Sequence, residues 1–170
     1  IEKELIHCEA QYEKVEEEDL INKVATSLSN GEIIGWFQGR MEFGPRALGS
    51  RSILADPRAK DMQKKLNLKI KFRESFRPFA PSILSEFKNE WFNLNTDSPY
   101  MQIVSKINDK HKIKMSEKDI SLFGIDKLNL ERSTIPSVIH VDYSARIQTV
   151  HKETNKKYYN LINKFNELTK

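Results

Sequence analysis

The chain has a single cysteine, Cys8, and only six glycines and six prolines in 170 residues. One thiol excludes an internal disulfide and any zinc site built on several cysteines. So little glycine and proline excludes collagen-like and low-complexity architectures. No apolar run approaches the ~18 residues of a membrane span. Ile1-Glu2-Lys3-Glu4 lacks the basic start and apolar stretch of a signal peptide. A cytoplasmic protein with no membrane partner is the expectation. No methionine opens the chain, which fits a piece of a longer protein. What is present suffices for one core: 38% hydrophobic residues, including nine Phe, five Tyr and two Trp, in a length that suits one domain.

The net charge of +4 hides a strong asymmetry. Residues 1–20 carry eight acids against two lysines, whereas residues 38–82 carry eleven Lys/Arg against four acids. Six of the eight arginines fall in that second stretch, and five of the six glycines lie between Gly31 and Gly49. Glycine lets backbone approach a phosphate and guanidinium grips one with a planar fork, so the pairing suggests a site for an anionic ligand. Lysines such as Lys60, Lys64 and Lys65 read more simply as a solvated helix face.

The periodicities describe a mixed α/β chain. Leu20, Ile21, Val24 and Leu28 share one helical face that stops at Asn30-Gly31, with acids at its start to suit the helix dipole. Glu32–Gln38 reads as a buried strand, Gly39–Gly49 as a loop with a short helical turn at Arg46-Ala47-Leu48, and Ser50–Leu54 as a second strand. A helix is expected over Ala59–Leu68, extended chain over Phe79–Leu84, a short helix capped by Ser85 as far as Phe92, and a strand over Pro99–Ser105. Residues 106–133 are polar and weakly periodic and read as an insertion or lid. Strands are expected at Val138–Val141 and Ala145–Val150. The final helix starts near Thr154, with Tyr158, Leu161, Ile162, Phe165 and Leu168 as its apolar stripe.

Three constellations can carry chemistry. In Gln38–Ser52, Arg40, Arg46 and Arg51 alternate with three glycines. This is neither GxxxxGK[ST] nor GxGxxG, but it can grip a phosphate or carboxylate; alternatively Arg46 or Arg51 pairs with Glu42 or Asp56 as structural glue. In Lys69–Ser82, an extended backbone would place Lys71 and Arg73 on one face and anchor the intervening phenylalanines in the core. The other reading is a solvated basic stretch beside a helix end. In His140–Arg146, His140 and Asp142 could share a strand face. A lone histidine is more often structural than a ligand or base, and His140 has no HxxxH or HExxH partner, so no metal site is expected. Cys8, in the acidic stretch, reads as inert.

The strings GRMEFGPRALGSRSILADPR (Gly39–Arg58), KFRESFRPFAPSIL (Lys71–Leu84), SPYM (Ser98–Met101) and HVDYSARIQTV (His140–Val150) closely resemble the C-terminal domain of the NodU/CmcH family of O-carbamoyltransferases. The resemblance runs in order from about residue 10 to the end and is weakest over 106–133. It implies a YrdC-like fold, a twisted open sheet with flanking helices, truncated where the family continues past Lys170 into a strand with an NTSFN-like motif. It implies a domain over 20–170, with residues 1–19 an acidic connector from an absent N-terminal actin-like domain. Family members use ATP, with Mg²⁺ on the triphosphate, and carbamoyl phosphate to form a carbamoyl-adenylate. The carbamoyl group is then passed to a small-molecule hydroxyl in the N-terminal domain, where the family holds a metal.

Carried over residue by residue, Lys71 and Arg73 match the Lys-x-Arg motif and become the candidate catalytic pair. Arg40, Arg46 and Arg51 match GR…GPRALG…R and, with Ser82, His140, Asp142 and Arg146, become the candidate nucleotide-binding set. Two positions depart from the pattern: Tyr143-Ser144 stands where the family reads Gly-Thr, and Ser50 where it reads Asn. A tyrosine at a turn that needs positive φ would be strained. The competing reading is a module that holds RNA or DNA on a basic concave face.

Overall fold

The computed structural model describes residues 1–128 and 130–170. Helices α1 (Glu2–His7) and α2 (Glu17–Ser29) precede a two-stranded antiparallel sheet of β1 (Ile34–Phe37) and β2 (Arg51–Leu54). Helix α3 (Met62–Lys69) follows, then β3 (Ser82–Leu84), α4 (Lys88–Trp91) and β4 (Ile103–Lys106). Short helices α5 (Glu117–Ser121) and α6 (Ile125–Leu128) lead to β5 (Ser144–Val150) and α7 (Lys156–Thr169). Strand β5 lies between β3, which it pairs in parallel, and β4, which it pairs antiparallel. The mixed α/β class expected from the periodicities is the class observed, with its strands divided between two small sheets. Among the described residues no helix is long and apolar enough to cross a membrane.

Helix α2 forms where the apolar stripe predicts. Glu17, Glu18 and Asp19 occupy its first turn, Ile21, Val24, Ala25 and Leu28 are buried, and Gly31 at φ 80° takes the left-handed conformation that ends it. Its apolar face meets α7, whose Asn155 side chain accepts the Tyr158 N–H at 3.4 Å and whose Tyr158 and Leu161 are buried.

Strand β5 organises the interior. Side chains alternate along a strand, so Ala145 and Ile147 enter one cluster with Phe92, Leu94, Ile107 and Val138. Val150, on the opposite parity, enters a second with Val24, Ala25, Leu28, Trp36, Tyr158 and Leu161. Each fully buried large apolar side chain contributes about 1.5–3 kcal/mol. Arg146 and Gln148 share the parity of Val150, which fixes the side of the sheet on which the polar site is built.

Several local expectations are corrected. Val138–Val141 is not a strand: Pro136–Val138 forms a single 3₁₀ turn and His140–Tyr143 a tight turn. Val138 and Ile139 are buried, His140 and Val141 are exposed, and Ser137 just before them donates its N–H to Pro57 and its hydroxyl to Ala59 and accepts from the Phe79 N–H. Arg46-Ala47-Leu48 has no helical turn. The Ser85 side chain caps no helix, and strand β4 begins only at Ile103. Phe72 and Phe76 are not core anchors, Phe72 being 85% exposed. Residues 106–133 are tied down at both ends, through the fully buried Ile107 and the bridge between Lys112 and Ser133.

Candidate anion and nucleotide site

The loop between β1 and β2 is closed by a carboxylate. Glu42 Oε1 accepts the backbone N–H groups of Leu48 and Ser50, both at 2.7 Å, and of Arg51 at 3.2 Å. Burial pushes this carboxyl upward, but the backbone N–H groups outweigh burial and hold it below the ordinary glutamate value. The anticipated ion pairs of Arg46 or Arg51 with Glu42 or Asp56 do not form. Asp56 instead pairs with Arg58. Arg51 turns back on its own loop. Its Nη1 donates to the carbonyls of Gln38 (2.8 Å) and Ser50 (2.7 Å), its Nη2 donates to Gly39 (3.1 Å), and the guanidinium lies 3.3 Å from the Phe37 ring centroid.

This leaves Arg46 facing a cavity of about 370 Å³, lined also by Phe43, Gly44, Tyr100, Met101, Gln102 and Arg146. Arg146 is presented by β5, and its Nε is buried with no hydrogen-bond partner. An unpaired N–H of a charged group is costly in a folded protein. An anionic ligand in the cavity would satisfy it. Two guanidinium groups on one cavity provide two forks for phosphate or carboxylate oxygens.

The opposite wall is pinned to β5. Ser98 donates its hydroxyl to the Ile147 carbonyl and its N–H to Thr149 Oγ1, both at 2.8 Å, and Thr149 returns its N–H to the Ser98 carbonyl at 3.0 Å. The turn that follows puts Met101 at φ 56°, a left-handed conformation that costs a non-glycine residue about 1–2 kcal/mol. Such strain persists where surrounding structure over-determines it, here beside the two arginines.

A second network ties the loop to the core. Tyr158 Oη donates to Ser82 Oγ at 2.9 Å, Ser82 Oγ donates to Gln148 Oε1 at 2.8 Å, and Gln148 Nε2 donates to the Leu48 carbonyl at 2.8 Å. Burial pushes the Tyr158 phenol up, so it stays a donor. Ser82 therefore supports the loop from beneath.

Lys71 and Arg73 occupy a different setting from the one predicted. Phe72 sits at φ 49°, so the chain is bent there and the period-two argument fails. Buried Asn67 organises the bend: its Nδ2 donates to the carbonyls of Ser75 (3.1 Å) and Arg77 (2.8 Å), and its Oδ1 accepts Arg73 Nε at 2.6 Å. The Arg73 guanidinium lies 5.1 Å from the Phe79 ring centroid. Lys71 is exposed.

His140 and Asp142 lie on the tight turn, not on a strand face. Asp142 Oδ1 accepts from the Ser144 hydroxyl (2.6 Å) and N–H (3.1 Å) and lies 3.4 Å from His140 Nδ1. The Ser144 hydroxyl is the main cause that lowers the Asp142 carboxyl below its ordinary value. Tyr143 adopts φ 66°. His140 borders a separate cavity of about 530 Å³ that Arg77 also lines.

The structure thus brings Arg46 and Arg146 to one cavity. Arg40, Arg51, Lys71, Arg73, Ser82, His140 and Asp142 do not line it. Sequence reasoning overlooked Glu42, Gln148 and Asn67 as organisers and Tyr100 as a lining residue. Only Glu42 carried a signal, being a lone acid in a loop of glycine and arginine.

Residues 25–170 match the family described as carbamoyltransferase C-terminus. The chain belongs to that family. It is similar to the Synechocystis protein sll1178, at 55% identity over 95% of this chain and 26% of that protein. It is 38% identical to nodulation protein NolNO of Sinorhizobium fredii, over 99% of this chain and 22% of the relative. It is 39% identical to nodulation protein NolO of Bradyrhizobium diazoefficiens, over 89% of this chain and 25% of the relative. This carbamoyltransferase C-terminal domain therefore spans about a quarter of the length of these relatives.

Proposed function

We propose that this domain binds ATP together with carbamoyl phosphate and supports formation of a carbamoyl-adenylate, from which the carbamoyl group passes to a small-molecule hydroxyl in a separate actin-like domain. The observation that carries the reading is the convergence of Arg46 and Arg146 on one cavity, with Arg146 Nε buried and unpaired. A triphosphate supplies the acceptor oxygens that this pair lacks. The described residues lining the cavity include no carboxylate, so Mg²⁺ would be carried by the triphosphate oxygens.

In the reaction, water cleaves carbamoyl phosphate to carbamate and inorganic phosphate, and a carbamate oxygen then forms a bond to the α-phosphorus of ATP. The bond between that phosphorus and the bridging oxygen breaks, and pyrophosphate leaves with the electron pair. Charge neutralisation by fixed cations is the main contribution a protein can make to such a transfer. Arg46 and Arg146 hold the phosphate chain. Lys71 and the Asn67-held Arg73, which do not line the Arg46/Arg146 cavity, are assigned to the reacting phosphate and carbamoyl groups by the family motif alone.

The test is to incubate the chain with ATP, Mg²⁺ and carbamoyl phosphate, and to measure pyrophosphate release and the carbamoyl-adenylate by mass spectrometry. Pyrophosphate release that requires carbamoyl phosphate, and that falls far more than adenosine binding in Lys71→Met, is expected. Equal losses in both for Lys71→Met would make Lys71 a structural residue. Absence of ATP binding would overturn the reading.

A further inference from the structure

The Arg46/Arg146 cavity has an aromatic mouth that phosphate binding leaves unused. Phe43 is fully exposed and Tyr100 is 66% exposed, and both line the same cavity as the two arginines. Two large aromatic side chains held in water on one cavity are informative because folding gains nothing from them there. Tyr100 is also held in place: Ser98, two residues before it, is bonded into β5 through its hydroxyl and both backbone groups. Met101, immediately after it, is in the strained left-handed region. Phe43 sits on the loop that Glu42 closes through three backbone N–H groups. A fixed turn and a closed loop thus present two aromatic faces beside two guanidinium forks. Gln102, lining the same cavity, adds an amide, whose paired donor and acceptor match the N6/N7 edge of adenine.

We infer that Phe43 and Tyr100 form the nucleobase platform of this site, stacking on the adenine of a nucleotide whose phosphates reach Arg46 and Arg146, with Gln102 at the base edge. This rests on the reading of the cavity as a phosphate site and assigns the part of the ligand that the arginines cannot recognise. Stacking on an aromatic side chain needs only an exposed π-face and is sensitive to its removal. Tyr100 and Phe43 are positioning residues for the base and take no part in bond making.

The experiment separates the two ends of the ligand. ATP and inorganic tripolyphosphate are each titrated calorimetrically into the wild-type chain, Tyr100→Ala, Tyr100→Phe and Arg46→Ala. Tyr100→Ala should weaken ATP about tenfold or more and leave tripolyphosphate unchanged. Tyr100→Phe, which keeps the π-face, should retain ATP affinity. Arg46→Ala should weaken both ligands. ATP affinity unchanged in Tyr100→Ala, with tripolyphosphate still bound, would overturn the platform and leave the phosphate site standing. Equal weakening of both ligands in Tyr100→Ala would overturn the platform by making Tyr100 a structural residue. Loss of neither ligand in Arg46→Ala would instead overturn the phosphate reading on which the platform rests.

Discussion

The ring of Tyr158 fills the space that a side chain on Gly49 would need. A Cβ built at Gly49 would lie 2.6 Å from Tyr158 Cε1 and 2.8 Å from Cγ. Gly49 also holds φ 100°, which side-chain-bearing residues rarely adopt. The loop bearing Arg46 is therefore seated on α7 through a contact that only glycine permits. Gly49→Ala combines overpacking with backbone strain and should lower stability by about 2–4 kcal/mol, measured by urea denaturation. A loss below about 0.5 kcal/mol, within the range of ordinary surface substitutions, would show that the loop is seated some other way.

Arg51 and Arg46 should separate cleanly. Arg51 is committed to three backbone carbonyls and the Phe37 ring. Arg51→Ala is expected to cost about 1–3 kcal/mol of stability, and Arg51→Lys to restore only part of it because an ammonium lacks the fork. Arg46→Ala should leave the thermal midpoint unchanged. Matched thermal melts of the three variants decide the point, and identical melts for Arg51→Ala and the wild type would refute it.

The pH dependence of the loop follows from Glu42. Its carboxyl is held below the ordinary value in the folded state, where burial raises it but the N–H groups of Leu48, Ser50 and Arg51 lower it further. A depressed folded pKa gives stability that is fully present above the unfolded value, about 4.3 for glutamate. That stability is lost as pH falls through the folded value. Glu42→Gln should therefore be less stable than the wild type at pH 7, with the gap closing as the pH falls below about 4. Denaturation midpoints across that range provide the measurement; a gap that widens on acidification would reverse the assigned sign.

Tyr143 supplies a test of strain. Its φ of 66° lies in the left-handed region, its ring packs against the cluster around Ile107, and Lys112 Nζ lies 5.2 Å from the ring centroid. Tyr143→Gly and Tyr143→Ala both remove the ring, so their difference isolates the backbone. The glycine variant should be the more stable by about 1 kcal/mol. An alanine variant equal to or better than glycine would place the turn outside the left-handed region.

The legible parts of the fold were those with a single periodicity. The helices α2 and α7 and the strands β1, β2 and β5 lie where the sequence places them, although only Trp36 of β1 is buried, β2 has no buried residue, β5 is buried on both faces and Leu168 of the α7 stripe is exposed. Val138–Val141 misled because Val138 and Ile139 are buried outside any sheet and leave the same apolar run as a strand. The Lys71/Arg73 argument failed at one residue, Phe72, whose left-handed φ no propensity announces. In the site, Arg46 and Arg146 were legible as arginines in motifs, but their meeting across 100 residues was not. That convergence depends on Gln148, Ser82 and Tyr158 bonding in series to Leu48, a tertiary chain with no local spacing to betray it.

The central claim is that Arg46 and Arg146 together hold the phosphates of ATP. Calorimetric titration of ATP with Mg²⁺ into the wild-type chain, Arg46→Ala and Arg146→Ala, with circular dichroism to confirm the fold, tests it most directly. Each variant should bind ATP more weakly by about 1.5–3 kcal/mol, the range for a hydrogen bond to a charged group. Folded variants that bind ATP as tightly as the wild type would contradict the claim.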